Sequence, residues 1–339
     1  SSGEIAMRTR GNRGYAVRQA SAEAPTPNDR GGGAGLADAG LAANDAAMSR
    51  RMGPLLALVG RADGRFAAQA NLRYPAATIR RKAEEGNRQA DAVALFAGLA
   101  DVRLGASWAQ AAEAEQWLSS RRGKPPVAVW SCAAAHEKPF LDGKLDDALW
   151  RDAAVVPLAA GAGGELRLAH DGEYLYVAGL FPTAVDGAGT DAVDSAGGGV
   201  ERSAIRRGDR RGDGRDADLT DRDHLELSID IDRDYVTSFT LAVDAAGSTF
   251  DRCERDATWN PQWFAATRRE SNQWSVEAAI PLAELTRSPP PPGTIWAVAA
   301  RRFQPGVGIQ SATAETSPQV GPGAFGWLQW ESPGTRGDN

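Results

Sequence analysis

Hydrophobic and polar positions alternate along most of the chain beyond residue 126, and Gly, Pro and Asp interrupt the alternation at short intervals. A period of two is typical of half-buried strands, and the interruptions are typical of turns. The pattern predicts nine strands, at 127–132, 165–170, 173–181, 223–232, 235–244, 263–269, 273–280, 294–303 and 326–331. Strands of this length with short connections predict a mainly β fold, an antiparallel β-sandwich of immunoglobulin-like or jelly-roll-like type.

Local details refine the strand prediction. Asp171-Gly172 predicts a tight hairpin, because such turns need a positive φ, and Ala246-Gly247 gives a weaker signal of the same kind. In strand 223–232 one face carries Leu225, Leu227, Ile229 and Ile231, and the other carries His224, Glu226, Ser228, Asp230 and Asp232. The apolar face predicts the core. The polar face is either a shallow binding face or the wet side of the sandwich.

Residues 36–124 follow a different pattern, rich in Ala, Leu, Arg, Glu and Gln, which favours helix. Helices are predicted at 36–51, 76–100 and 106–121, the last with Ser107 as its N-cap. Pro125-Pro126 ends this region, because two prolines cannot continue a helix. The predicted organisation is a flexible arm 1–35, a small helical region 36–124, a β-sandwich 126–332 with a mobile loop 183–222, and a tail 333–339.

Composition and charge exclude several classes. The 339 residues carry a net charge of −6, and no apolar run approaches the ~18 residues of a membrane span. Eight of the ten tryptophans lie beyond residue 125, where the chain is also acidic, so the predicted core domain is not a nucleic-acid binder. The chain begins at Ser1 without an apolar signal segment, which fits a processed secreted chain and a shortened chain equally. We expect an extracellular, cell-surface or periplasmic location.

Candidate metal and sulfur chemistry is limited. Cys132 and Cys253 form either one disulfide or two buried thiols, and two cysteines do not make a zinc or iron–sulfur ligand set. The loop before strand 223–232 offers carboxylate ligands for calcium, although it lacks EF-hand spacing, and a solvated acidic loop is the alternative. These carboxylates belong to Asp216, Asp218, Asp221 and Asp223.

Residues 139–150 read Pro-Phe-Leu-Asp-Gly-Lys-Leu-Asp-Asp-Ala-Leu-Trp. This segment resembles the opening motif of family 9 carbohydrate-binding-module-like domains, which belong to the wider DOMON-like group of β-sandwiches. Further segments match in the same order, at 168–177, 223–230, 274–285, 296–302 and 325–328. The resemblance covers about residues 127–331. It implies a noncatalytic module of a secreted or cell-surface protein that binds a polysaccharide or another glycan.

The resemblance also implies a binding site. Glu226 matches the acidic residue of the family's Asp-x-x-Glu strand. The two tryptophans that clamp a sugar in the family are expected near Thr220 and Gln319, where this chain has no aromatic residue, so that clamp is predicted to be absent. Glu226, Arg301, Arg302 and Gln319 remain as candidate ligand contacts, and Arg301 or Arg302 pairing with Glu226 or Glu277 is the structural alternative.

A replacement platform is available further along the chain. Trp259 and Trp263 flank Asn260, and a sugar stacks on indole while an amide binds its hydroxyls. The alternative for Trp263 is a place in the core.

Other function classes have less support. Haem binding needs axial ligands, but all three methionines lie outside the predicted sandwich, and His170 at its hairpin is expected to be exposed. Asp223 and Glu226 resemble a hydrolase pair, yet the chain has no nucleophile, metal or phosphate motif, so no enzyme activity is predicted. The alternative to glycan binding is a structural subunit of an extracellular assembly, which uses the sandwich as a scaffold and binds other protein subunits through residues 1–124.

Overall fold

The structure, a computed structural model, describes residues 69–84, 96, 99, 105–158, 164–183, 214–254, 256, 258–313, 315 and 317–332. The predicted arm 1–35, the predicted helix 36–51, the tail 333–339 and residues 184–213 of the predicted mobile loop lie outside the described residues. The chain divides into two compact units, residues 1–92 and 93–339. The predicted domain boundaries stay predictions.

In the first unit the described residues form one helix, α1 (Ala70–Glu84). The sequence predicts a helix only from residue 76, after Pro75, but Pro75 lies inside α1. One proline removes one backbone hydrogen bond, and the strong helix formers around it offset that loss. Tyr74 and Thr78, one turn apart, are both buried, so α1 buries one face.

The second unit contains two further helices and all twelve strands of the described residues. The helices are α2 (Ala106–Ser120) and α3 (Ala148–Asp152). The strands are β1 (Val129–Ala134), β2 (Val155–Pro157), β3 (Glu165–His170), β4 (Tyr174–Pro182), β5 (His224–Asp230), β6 (Phe239–Asp244), β7 (Thr249–Cys253), β8 (Phe264–Arg269), β9 (Gln273–Pro281), β10 (Ile295–Gln304), β11 (Gly308–Ser311) and β12 (Gly326–Trp330).

The strands form two sheets that share β1. Sheet A has the order β7-β6-β5-β10-β12-β1, with β11 paired to β10. Sheet B has the order β1-β3-β4-β9-β8, with β2 paired to β3. The first part of β1 pairs with β12 and its last two residues pair with β3, both in parallel, while every other described strand pair is antiparallel. The predicted β-sandwich is therefore confirmed.

The core lies between the sheets. Leu225, Leu227 and Ile229 of β5 are buried there, as the alternation predicts, together with Trp274, Trp296 and Trp330. All nine predicted strands exist, and the Asp171-Gly172 hairpin joins β3 to β4 with Gly172 at φ +85°. The sequence pattern does not predict the strands β2, β7 and β11, because they have three to five residues and are too short to show a period.

Helix α2 packs on the outer face of sheet A, the face turned away from the core. Its Trp117 ring lies 6.2 Å from the ring of Trp327, and its Trp108 ring lies 6.5 Å from that of Tyr235. Glu115, 6% exposed, accepts a 2.6 Å hydrogen bond from Arg233 Nε. The helix begins after Gly105 at φ +92°, with no side-chain cap, so the Ser107 N-cap prediction is wrong.

The outer face of sheet A is therefore only partly exposed to solvent. Ser228 is 1% exposed and Asp230 is fully buried, although both lie on the polar face of β5. Ser228 pairs its hydroxyl with that of Thr240 at 3.2 Å. The sequence left the polar face of β5 as either a binding face or a solvated face. A uniformly solvated face is wrong, because the buried polar groups there are bonded to other protein groups.

The outer face of sheet B is covered by the segment 139–153. Glu277 on β9 is fully buried beneath it, and its Oε2 accepts hydrogen bonds from the backbone N–H groups of Asp142 (3.0 Å) and Gly143 (2.7 Å). Its Oε1 accepts a 2.7 Å bond from the indole N–H of Trp150. Two of the segments that carry the family resemblance are thus bonded to each other. Burial raises the pKa of the Glu277 carboxyl, and the three donated bonds act in the opposite direction.

His170 is 6% exposed, so the expectation that it is exposed at the hairpin is wrong. Its ring packs edge-on against Trp330 with centroids 4.5 Å apart, and its Nε2 lies 3.1 Å from the carbonyl oxygen of Glu331. Burial lowers the pKa of this histidine, although the Glu331 carbonyl and Asp171 favour its charged form.

This lowered pKa predicts a pH dependence of stability. The unfolded chain takes up the His170 proton at higher pH than the folded chain, so we expect the free energy of unfolding to fall as pH drops below about 6.5. In His170→Gln the slope of this fall should be shallower by up to about 1.4 kcal/mol per pH unit. Urea titrations between pH 5 and pH 7.5 measure it, with His136→Gln at an exposed histidine as the control. Equal slopes for wild type and His170→Gln would contradict the prediction.

Both cysteines are free thiols, which decides between the two alternatives left by the sequence. Burial raises the pKa of the Cys132 thiol well above its ordinary value and raises that of Cys253 as well. A thiol that is fully buried, as that of Cys132 is, is unreactive. Among the described residues, no helix has the length and apolarity needed to cross a membrane.

Candidate functional site

Two of the predicted ligand residues pair at the outer face of sheet A, and a third lies on the loop that this pair holds. Glu226 on β5 lies directly opposite Arg301 on β10, and Arg301 Nε donates a 3.1 Å hydrogen bond to Glu226 Oε1, which also accepts from Nη2. The remaining nitrogen, Nη1, donates to the carbonyl oxygens of Ser317 (3.0 Å) and Pro318 (3.2 Å). Gln319 follows directly along the chain and is exposed. The ion pair therefore fixes the loop that carries Gln319.

The Glu226 carboxylate is only partly used by the protein. Oε1 accepts both bonds from Arg301, whereas Oε2 accepts no hydrogen bond from the described residues. The side chain of Glu226 is 19% exposed and that of Arg301 is 8% exposed. A charged acceptor in this state, oriented by a buried guanidinium, is suited to accept a hydrogen bond from a ligand hydroxyl. The guanidinium of Arg301 is bonded to Glu226 on one side and to the carbonyl oxygens of Ser317 and Pro318 on the other. Arg301 therefore acts by holding Glu226 in position.

Arg302, the next residue, points to the opposite side of sheet A. It is fully buried, and its Nε and Nη2 bind Asp223 at 2.8 and 2.6 Å. Asp223 also accepts a 3.1 Å bond from the indole N–H of Trp274 on sheet B. The predicted pairing of an arginine with Glu226 thus holds for Arg301, while the partner of Arg302 is Asp223. This second ion pair joins the two sheets and does not face the site of Glu226.

The tryptophan loop lies elsewhere. Trp263 is 8% exposed within the core, and its indole N–H donates a 3.0 Å bond to Asp251. Trp259 is half-buried, with its ring 4.9 Å from that of Phe239. The exposed Asn260 accepts a 2.5 Å bond from Arg215, which also binds Asp251 and the carbonyl oxygen of Pro261. Trp263 therefore lies in the core, which is the alternative that the sequence offered to a place in a sugar platform.

The register shows that the structure does not bring Trp259 and Glu226 together. Phe239, the partner of Trp259, faces the core with Leu241. Ala242, the cross-strand neighbour of Glu226, is three residues further along β6 and faces outward. Residues an odd number of positions apart on a strand point to opposite faces. Apart from Arg302, which binds Asp223 on the core side, the predicted ligand residues therefore form two separate groups, one at Glu226 and one at Trp259.

The predicted calcium ligands are not gathered into one group of carboxylates. Asp216, Asp218 and Asp221 are exposed, and Asp223 is bound by Arg302. The described residues bring three other carboxylates within 4.8 Å of one another, those of Asp230, Asp232 and Asp234. Asp230 already accepts bonds from the backbone N–H groups of three following residues, which builds the β5–β6 turn. Burial raises the pKa of the Asp230 carboxyl well above its ordinary value.

A cavity of about 350 Å³ lies beside the Glu226 site, between the first turn of α2 and the loop 313–325. Ser107, Gln110, Pro126, Val127, Ala128, Thr313, Glu315, Gly323 and Phe325 line it. None of these residues was a candidate from the sequence. The cavity joins a helix outside the family resemblance to a loop about 200 residues later, and no local pattern signals that contact. A more open groove of about 530 Å³ lies at the opposite edge of the shared strand β1, next to Glu331.

No family model and no curated protein matches the chain. Several solved structures match the chain. A family 9 carbohydrate-binding module from Caldicellulosiruptor kristjanssonii in complex with cellotriose is 14% identical, with 62% of this chain and 97% of that chain covered and a TM-score of 0.42. A family 9 module from the same organism in complex with glucose is 15% identical, with 62% and 98% covered and a TM-score of 0.41.

Proposed function

We propose that residues 126–332 form a noncatalytic carbohydrate-binding module of a secreted, cell-surface or periplasmic protein, with its glycan bound at the outer face of sheet A beside Glu226. The observation that carries this proposal is the Glu226–Arg301 pair, which leaves one Glu226 oxygen without a partner among the described residues and holds the loop next to Gln319. Glu226 contributes the charged acceptor, and the Gln319 amide both donates and accepts. Sugar hydroxyls, which also donate and accept, complement this pair.

The geometry favours binding over hydrolysis. Hydrolysis by paired carboxylates needs two groups that face one substrate across roughly 5 to 9.5 Å. Asp223, the sequence candidate for the second carboxylate, is held by Arg302 and Trp274 on the core side. Asp223 is therefore not available as a catalytic partner of Glu226, and Glu226 as a hydrogen-bond acceptor suits recognition.

A glycan array probed with the full chain, with and without calcium, tests the proposal. The full chain is needed because α2 covers Trp327 and Tyr235, which an isolated fragment 126–332 would expose. We expect binding to a defined set of glycans that the free sugar displaces. Absence of binding to every glycan, with the chain folded by circular dichroism, would contradict it.

A second candidate, a structural subunit of an extracellular assembly, is favoured by one observation. Thr220 and Gln319, where the family's clamping tryptophans are expected, are exposed and not aromatic. An array without binding would support this candidate, and the partner would then be another protein held through residues 1–124.

The Trp259 group makes a separate prediction. Trp259 packs against Phe239 and the edge of the core, so Trp259→Ala is expected to lower the free energy of unfolding by about 1–3 kcal/mol and to leave glycan binding unchanged. Urea denaturation and calorimetric titration measure the two effects on the same preparation. Lost binding with unchanged stability would instead place the sugar platform at Trp259 and Asn260.

A further inference from the structure

We propose that the cavity between α2 and the loop 313–325 is a second subsite of the glycan site and takes a neutral, hydroxyl-bearing sugar ring. This inference rests on the proposed function and extends it to residues outside the predicted module. A volume of about 350 Å³ falls in the range typical of small-molecule pockets, which is roughly 300 to 1,000 Å³.

Two side-chain oxygen atoms of the lining lie close to Gly323. A Cβ atom added to Gly323 would lie 3.1 Å from Ser107 Oγ and 3.3 Å from Glu315 Oε2. Ser107 Oγ makes no hydrogen bond to the described residues, and Glu315 uses its other oxygen, Oε1, to accept a 3.0 Å bond from the N–H of Ser317. A hydroxyl and a carboxylate oxygen without partners among the described residues are available to bind a ligand hydroxyl.

The lining of the cavity is part polar and part apolar. Pro126, Val127, Ala128 and Phe325 supply the apolar part, so a ring with polar edges and an apolar face is complementary to the cavity. Glu315 is the charged residue among the described residues that line the cavity. An anionic sugar such as a uronic acid would meet this carboxylate with no compensating cation among those residues, so the proposed subsite favours neutral rings.

One residue links the cavity wall to the Glu226 site by hydrogen bonds. Ser317 gives its N–H to Glu315 and its carbonyl oxygen to Arg301 Nη1, and Arg301 is paired with Glu226. In the proposed arrangement, a glycan bound beside Glu226 and Gln319 extends along this loop to the cavity. Helix α2 supplies Ser107 and Gln110, so the helix takes part in recognition as well as in covering the sheet.

The test is a substitution that fills the cavity with a side chain. Gly323→Leu places a side chain between Ser107 and Glu315, whereas Gly321→Leu, two residues earlier in the same loop, directs its Cβ into open space and serves as the control. Glu315→Gln is the second variant, because it keeps the shape and removes the charge. The probe is the neutral oligosaccharide that the full chain binds most tightly on an array of neutral and uronic-acid glycans, and calorimetric titration measures its affinity.

We expect Gly323→Leu and Glu315→Gln to weaken binding by about tenfold or more, with Gly321→Leu unchanged. If Gly323→Leu fails to fold, the Glu315→Gln result alone decides. Wild-type affinity in both variants, or a wild-type preference for uronic-acid glycans, would overturn the subsite. If the subsite is overturned in this way but Glu226→Gln abolishes binding, the proposed Glu226 site still stands. A full chain that binds no glycan would overturn the Glu226 site and the subsite together.

Discussion

Glu277→Ala is expected to lower the free energy of unfolding by about 3–5 kcal/mol, enough to leave a marginally stable domain largely unfolded. The substitution removes the acceptor of three buried hydrogen bonds, those from the N–H groups of Asp142 and Gly143 and from the indole of Trp150. Each unsatisfied buried donor costs about 1–3 kcal/mol. The segment 139–153 would then lose its attachment to sheet B.

Urea denaturation of Glu277→Ala measures this loss. Glu173→Gln, at an exposed carboxylate on the β3–β4 hairpin, is the control and should change stability by less than about 0.5 kcal/mol. Glu277→Gln keeps one acceptor oxygen and should lie between the two. A Glu277→Ala protein as stable as the control would show that the segment 139–153 is held by its apolar contacts alone.

Arg302→Ala is expected to destabilise the fold by about 3–5 kcal/mol as well. Arg302 is fully buried, binds Asp223 through two nitrogens, and lies 5.4 Å from the centre of the Phe181 ring. Its loss leaves Asp223 with the Trp274 indole as its remaining side-chain donor and removes the side chain that spans the two sheets. Both the unpaired carboxylate and the vacated volume are unfavourable.

A double-mutant cycle with Asp223→Asn separates these effects. If the ion pair carries the cost, Arg302→Ala/Asp223→Asn should be more stable than the sum of the single variants predicts, by more than about 1 kcal/mol. Arg268→Ala, in an exposed ion pair with Glu270 on the edge strand β8, is the control. Strict additivity, or an Arg302→Ala variant with wild-type stability, would show that the pair does not join the sheets energetically.

The local pattern predicts strands well where one face of the strand is buried. The inward residues Leu225, Leu227 and Ile229 alternate without interruption, so β5 and its core face follow directly from the sequence. The hairpin at Gly172 follows from backbone sterics, which depend only on neighbouring residues. The strands β2 and β11, with three and four residues, are too short to show a period.

The candidate site is predictable only in part. Glu226 and Arg301 were candidates, and their pairing depends on the register of β5 and β10, which the sequence pattern alone does not specify. The place of α2 on sheet A depends on tertiary contacts, because Glu115 and the alanines of its buried face make no apolar stripe. His170 was expected to be exposed because hairpins usually are, but the shared strand β1 and the end of β12 bury it.

The central claim is that the glycan is bound through Glu226 at the outer face of sheet A. Calorimetric titration of the array-selected glycan into Glu226→Gln tests it most directly, with Glu270→Gln at an exposed carboxylate of the β8–β9 turn as the matched control. We predict that Glu226→Gln weakens binding by about tenfold to a hundredfold, as expected for loss of a charged acceptor, while the control binds as wild type. Equal affinity of Glu226→Gln and wild type, with both proteins folded, would contradict the claim.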